Sequence, residues 1–246
     1  MKNILLLLLL GLTTDILGQA INRNVYVFVP GAWDGGWDYK KLDSILTYHG
    51  NRVYRPTLTG LGERVHLANT EINLTTHIND IVSLFKYENL HNVVLVGHSY
   101  GGMVISGVAE QVHDRIKQLI YLDAFVPENG ESIQSIVGAE WDQMVAPNIK
   151  DGFVLYPFGP TSPIPPNDVP QPLKTFTEPL SISNPLAKKI STAYILMIKD
   201  GKGGFEAWGA SRARAQGWKI LTLEGEHYSM RDQPGNFVQI LFKVLN

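Results

Sequence analysis

A buried strand that must hand over to a helix within a few residues constrains this chain more than any other feature. Residues 93–96 read Val-Val-Leu-Val, apolar on both faces, and belong inside a sheet that is covered on both sides. Gly97-His98-Ser99-Tyr100-Gly101 follows directly, and a helix-like segment begins at Tyr100. A serine at so sharp a turn is held in a strained backbone conformation with its hydroxyl exposed. Side chains two residues to either side would collide, hence Gly97 and Gly101. The N–H of Tyr100 and the positive end of the following helix face any negative charge that develops beside Ser99. The five letters recur in many glycine-rich turns; the strand before them and the helix after them give the pattern its weight.

The same rhythm runs through most of the chain. Strand-like runs lie at 25–29, 51–55, 118–122, 193–198 and 219–223, and helix-like stretches at 37–49, 75–90, 206–216 and from 234 onward. This alternation predicts the α/β class, a mostly parallel central sheet with helices on both faces. Between 127 and 185 the rhythm breaks: that stretch holds 11 of the 14 prolines together with Trp141, Phe153, Tyr156, Phe158 and Phe176. An insertion between sheet strands lies outside the fold, and an aromatic one packs onto something. A lid over about 127–190, covering a site, is the expectation. Residues 21–246 suit one domain with one core.

Composition removes several classes of function. The net charge is −2 with no run of Lys or Arg, so the chain offers no footprint for a nucleic-acid backbone. It has no cysteine, which excludes disulfides, thiolate metal sites and a cysteine nucleophile. No His-Glu-x-x-His or similar ligand cluster is present, and the glycine-rich loop lacks the Lys-Ser/Thr ending of a phosphate cradle; neither metal nor other cofactor is expected. Residues 1–20 read as a signal peptide: Met1-Lys2-Asn3, an apolar run from Ile4 to Leu12, then Gly18-Gln19-Ala20. The run is too short to anchor in a bilayer. The mature chain is therefore expected to be secreted or periplasmic, with no stable membrane span after cleavage.

Ser99 needs a base, two oxyanion donors and an acid. After the first strand comes Pro30-Gly31-Ala32-Trp33-Asp34-Gly35-Gly36-Trp37, where glycine lets backbone approach a ligand, and the N–H of Ala32 is the expected partner of the N–H of Tyr100. Of seven histidines, His227 follows the last strand in Glu224-Gly225-Glu226-His227-Tyr228, where the order nucleophile, acid, histidine calls for the base. His98 is expected to point away from the site by strand geometry, and His49, His66, His77, His91 and His113 to be surface or structural. Asp123 and Asp200 each end a strand that can face the imidazole, and only one is needed.

Beyond these residues the chain resembles the α/β-hydrolase superfamily, and within it a group of small bacterial esterases related to plant methyl esterases and hydroxynitrile lyases. The resemblance spans most of the mature chain. It is carried by Pro56-Thr57-Leu58-Thr59-Gly60-Leu61-Gly62-Glu63-Arg64, Gly97-His98-Ser99-Tyr100-Gly101-Gly102-Met103, Tyr121-Leu122-Asp123-Ala124-Phe125-Val126-Pro127, and Gln171-Pro172-Leu173 with Thr175-Phe176. It implies a serine hydrolase that cleaves small carboxylic esters without a cofactor. In the bacterial group the aspartate of the Leu-Asp-Ala-Phe string is regular, which favours Asp123 over Asp200; the plant relatives show the reverse. Two departures stand out: Pro30 replaces the histidine that often precedes the oxyanion glycine, and Tyr228 replaces the lysine of hydroxynitrile lyases, which counts against cyanohydrin cleavage. Lyase or C–C bond chemistry on the same residues, and a non-catalytic homologue that binds a small ligand, are the rival readings.

Overall fold

Alternating side chains along each strand build two cores, one on either face of a single sheet. In a computed structural model, which describes residues 23–245, the strands are β1 (Val25–Val29), β2 (Arg52–Tyr54), β3 (Val93–His98), β4 (Ile116–Leu122), β5 (Ser191–Lys199) and β6 (Lys219–Glu224). They lie in the order β6-β5-β4-β3-β1-β2, every neighbouring pair parallel. Val27, Val29, Leu95, Leu119, Tyr121 and Leu196 point to one face. Tyr26, Phe28, Val94, Val96, Ile120 and Ile195 point to the other. The signal-peptide expectation falls outside the described residues.

Parallel strands require crossovers, and amphipathic helices supply them. α1 (Lys40–Tyr48) and the closing helix α5 (Pro234–Leu245) bury Leu42, Leu46, Phe237 and Leu241 against one face. α2 (Leu74–Tyr87) and α3 (Gly101–Val112) cover the other through Ile78, Ile81, Phe85, Val104 and Val108. The expected single helix at 206–216 is instead a wide π turn, Glu206–Ala210, running into the short helix α4 (Ser211–Ala215). A Cβ at Gly209 would lie 2.1 Å from the Tyr194 hydroxyl and 2.3 Å from the Ala124 carbonyl. The widened turn lets bare backbone approach the end of β4 that closely.

The segment between β4 and β5 is ordered, with its own small antiparallel sheet of Ile149–Lys150, Phe153–Val154 and Gln171–Pro172. Short helices Ile133–Val137, Trp141–Met144 and Lys174–Thr177 flank it. Trp33, just after β1, fastens it in place. Its N–H donates to Gln171 Oε1 at 2.8 Å, its indole N–H to the Val154 carbonyl at 2.9 Å, and its carbonyl accepts from Val169 N–H at 3.1 Å.

Beside this junction lies a group of acids with few donors. Asp34 is fully buried, and as carboxylates Asp34, Asp38 and Asp168 offer one another no proton, so both Asp34 oxygens lack a partner. Of these three acids Arg231 reaches Asp38, at 3.2 Å, and it also pairs with Asp232 at 3.6 Å. Burial, then the charges of Asp38 and Asp168, push the Asp34 carboxyl well above the ordinary range. Asp38 is pushed up to about 6 by burial, with Arg231 opposing the rise. A proton held on Asp34 turns repulsion into donation toward its neighbours.

Two expected outcomes follow from this packing. A Cβ on Gly107 of α3 would lie 2.2 Å from Ile78 Cδ1 and 2.8 Å from Ile78 Cγ1 of α2, so Gly107→Ala forces the Ile78 side chain to repack. Overpacking costs about 1–3 kcal/mol, against a helix-propensity gain of about 1, so urea unfolding should show a net loss of stability. The second concerns pH. A carboxyl whose folded pKa is raised adds no penalty while it is protonated in both states, and destabilises progressively as pH rises above the unfolded value of about 4. Asp34→Asn keeps a donor and carries no charge. Its melting temperature should exceed that of the wild type by about 2–4 °C at pH 8, with the gap closing toward pH 4; a gap independent of pH would contradict the assignment.

Candidate active site

The turn after β3 has the geometry its glycines require. Ser99 sits at φ +53°, in the left-handed region that ordinary residues avoid. A Cβ on Gly97 would meet the Gly101 carbonyl oxygen at 2.5 Å, and one on Gly101 the Val29 carbonyl oxygen at 2.6 Å. The turn is held by Ser99 N–H donating to the Leu122 carbonyl at 3.2 Å, while the Ser99 carbonyl accepts from Gly102 N–H at 3.1 Å and Phe125 N–H at 3.2 Å. Ser99 is half-buried and lines a cavity of about 650 Å³.

His227 lies on the same cavity, on the loop after β6. Its Nδ1 is 2.7 Å from Asp123 Oδ2. A carboxylate there can only accept, so Nδ1 carries the proton and Nε2 keeps its lone pair. The other oxygen of Asp123 accepts the Met197 N–H of β5 at 3.1 Å, and Asp123 N–H donates to the Ile195 carbonyl at 2.8 Å. Phe205 stacks parallel on the imidazole, centroids 4.7 Å apart and planes 2° from parallel.

Asp200 is not at the imidazole. β5 extends to Lys199, one residue beyond the expected end, and Asp200 occupies an exposed turn at φ +51° before the strand reverses. Asp123 meets β5 at Met197, and three further residues at about 3.3 Å each carry Asp200 roughly 10 Å along the strand. The carboxylate that faces His227 is that of Asp123.

Ala32 and Tyr100 both line the cavity with Ser99. Among the described residues neither backbone N–H donates to a protein acceptor, whereas the next one along, that of Trp33, is taken by Gln171. Gln171 thus removes the competing donor and fixes the loop that presents Ala32. Gly31 lacks a Cβ for a reason of space: one would lie 3.1 Å from His98 Nδ1 and 3.3 Å from Ser99 Cβ.

No hydrogen bond joins Ser99 Oγ to His227 among the described residues. The two groups share one cavity, and active sites commonly complete such a contact only with substrate bound. His98 departs from expectation. Rather than pointing away, it is fully buried against His227, ring centroids 4.3 Å apart, with its Nε2 2.9 Å from the His227 carbonyl oxygen. Strand alternation places that side chain opposite Ser99, but the loop after β6 wraps round to meet it.

Trp33, Gln171, Phe205 and Met197 also shape the site without having been singled out as functional. Gln171 stood in a family-like string and Trp33 beside the proposed oxyanion residue, and those were their only signals. Most of the remaining wall is apolar, with Phe125 and Trp208 from around β4 and the π turn and Ile133, Val137, Met144, Tyr156, Phe158 and Phe176 from the insertion, while Lys199, Lys202, Glu226, Arg231 and Asp232 add charged groups to the lining. Among the described residues no group of acidic, histidine or cysteine side chains is arranged to hold a metal ion.

Known proteins resemble this chain over most of its length. A carbendazim hydrolyzing esterase from Nocardioides sp. (strain SG-4G) is 34% identical over 235 residues, spanning 88% of this chain and 97% of that protein. A pheophorbidase from Raphanus sativus is 27% identical over 201 residues, spanning 71% of this chain and 76% of its own. Among solved structures, an extracellular alpha/beta-hydrolase from a Paenibacillus species superposes with a TM-score of 0.76 at 22% identity, covering 90% of this chain and 98% of that one. The model of the alpha/beta hydrolase family matches residues 26–240, and the chain belongs to that family.

Proposed function

We propose that this protein is a carboxylic ester hydrolase acting through an acyl-enzyme on Ser99. The observation that carries the reading is the 2.7 Å contact between His227 Nδ1 and Asp123 Oδ2 on the wall of the cavity that Ser99 lines. With Nδ1 protonated, Nε2 is left free to take the Ser99 proton as Oγ attacks the ester carbonyl. The oxyanion forms between the N–H groups of Ala32 and Tyr100, both without a protein acceptor. Collapse expels the alcohol, which takes the proton from the His227 imidazolium. Water then repeats the cycle on the acyl-enzyme, His227 again serving as base, and releases the carboxylic acid.

The relatives' esterase and pheophorbidase names support the reaction class. The aromatic and aliphatic walls favour a small ester with an apolar acyl or alcohol group, and the insertion serves as a lid over it. Export belongs to the same proposal: the leader-like residues 1–20 would be removed, leaving one domain from residue 21, secreted or periplasmic. Among the described residues no helix is long and apolar enough to cross a membrane.

The test is hydrolysis of p-nitrophenyl and methyl esters of graded size. Ser99→Ala, His227→Ala and Asp123→Asn should each lower kcat by about three to four orders of magnitude with the fold intact. Asp200→Asn should hydrolyse at the wild-type rate. A fluorophosphonate probe should label Ser99 alone. Wild-type turnover by Asp123→Asn, or labelling elsewhere, would overturn the assignment.

A further inference from the structure

His98 takes no part in the steps above, yet its ring lies nearer to that of the base, at 4.3 Å between centroids, than the stacked Phe205 does at 4.7 Å. It is the last residue of β3 and immediately precedes Ser99 in the chain. Its ring is fully buried, tilted at 39° to that of His227 with centroids 4.3 Å apart, and Tyr228 packs against both rings, at 5.5 Å from His98 and 5.3 Å from His227. Its Nε2 is 2.9 Å from the His227 carbonyl oxygen, and its Nδ1 is buried with no partner among the described residues.

We infer that His98 is a positioning residue, which donates its Nε2–H to the backbone carbonyl of His227 and so ties the loop carrying the base to the turn carrying the nucleophile. The inference rests on the ester-hydrolase reading and assigns a role within it. A carbonyl can only accept, so the proton must be on Nε2. Burial, reinforced by the neighbouring His227, lowers the His98 pKa well below the ordinary value, so the ring holds one proton and Nδ1 is left bare. That agrees with Nδ1 having no acceptor to donate to. It also keeps a second positive charge away from the imidazolium that forms on His227 during acyl transfer.

The need for the tether follows from geometry. The Asp123 bond holds His227 at Nδ1 only, and a ring held at one atom can pivot about that contact and carry Nε2 away from Ser99 Oγ. Phe205 limits tilting of the ring plane, and the His98 donor fixes the backbone from which the ring hangs. Because His98 and Ser99 are consecutive, the tether fixes the base relative to the nucleophile itself. A bare packing role would need only the ring, and a tether needs only the donor.

Two substitutions separate these roles. His98→Phe keeps an aromatic ring and removes the donor; His98→Gln gives up the ring and keeps an N–H near the Nε2 position. For a p-nitrophenyl ester, His98→Phe should lower kcat by about 10- to 100-fold with KM within about threefold of wild type, as expected for a misplaced base. His98→Gln should recover kcat to within about fivefold of wild type. Equal rates in wild type and His98→Phe, or His98→Gln as slow as His98→Phe, would overturn the inference. Ser99→Ala is run alongside: if it stays active the ester-hydrolase reading fails, whereas an inactive Ser99→Ala beside a fully active His98→Phe sinks only the tether. A measurement on the unaltered protein decides the matter should either variant not fold. Histidine ¹⁵N spectra should show His98 as the neutral Nε2–H tautomer from pH 5.5 to 8, and an Nδ1–H tautomer or an imidazolium in that range would refute the tether.

Discussion

Ser99 at φ +53° costs about 1–3 kcal/mol of backbone strain, and the surrounding structure exists in a form that can hold it. Three backbone hydrogen bonds grip the residue, from its N–H to Leu122 and to its carbonyl from Gly102 and Phe125. Gly97 and Gly101 allow the turn to press against its own backbone and against the end of β1, where any other residue would place a carbon within 2.6 Å of a carbonyl oxygen. Because β1, β3, β4 and β5 are parallel and in register, with Val29 beside Gly97, His98 beside Leu122 and Leu122 beside Ile195, their outgoing loops emerge along one edge. The Ala32 loop, Ser99 and Asp123 are neighbours for that reason. Strand register does the work that sequence distance cannot.

The site is only half made by the sheet. The insertion supplies the other wall, and Trp33 joins the two by giving both its donors and its carbonyl to residues 154, 169 and 171. The residue that follows Ala32 is thus bonded to the cover over the cavity. Movement of the insertion would disturb the Ala32 loop, and the same bonds hold that loop while the insertion stays in place. The buried acids lie at this same seam, with Asp34 and Asp38 on the loop side and Asp168 on the insertion side. Their mutual repulsion, unless relieved by a proton, acts to separate what Trp33 holds together.

How far the residues announced this arrangement depends on the range of the interaction. Strand and helix alternation, the glycine-flanked serine and the histidine after the last strand are local patterns, and each was legible as such. Helix and strand ends shifted by a residue or two, and one of those shifts mattered: the extra length of β5 put Asp200 into solvent. Periodicity cannot count residues at a strand end, so the choice between the two aspartates had to lean on resemblance. The wide turn at 206–210 was unreadable because it answers to Tyr194 and Ala124, both distant in the chain. The contact of His98 is hidden for a related reason: its strand dictates the direction of its side chain, but the partner arrives from a loop 129 residues away.

The contrast between two buried aspartates shows why donors rather than burial decide what a carboxylate can do here. Asp123 and Asp34 are both nearly inaccessible, at 2% and 0% exposure. Each oxygen of Asp123 has its own donor, the Met197 N–H and His227 Nδ1, so its charge is met on both sides and remains available to steady a positive imidazole. Asp34 has no donor and two acidic neighbours, and the desolvation penalty falls on it in full. A carboxylate in that position would be a poor partner for a base, since it would draw a proton for itself before stabilising one elsewhere. The fold therefore separates the two by placing the end of β5 beside Asp123 and the insertion beside Asp34, and the β5 backbone N–H at Met197, with His227 Nδ1, gives only the first of them a donor on each oxygen.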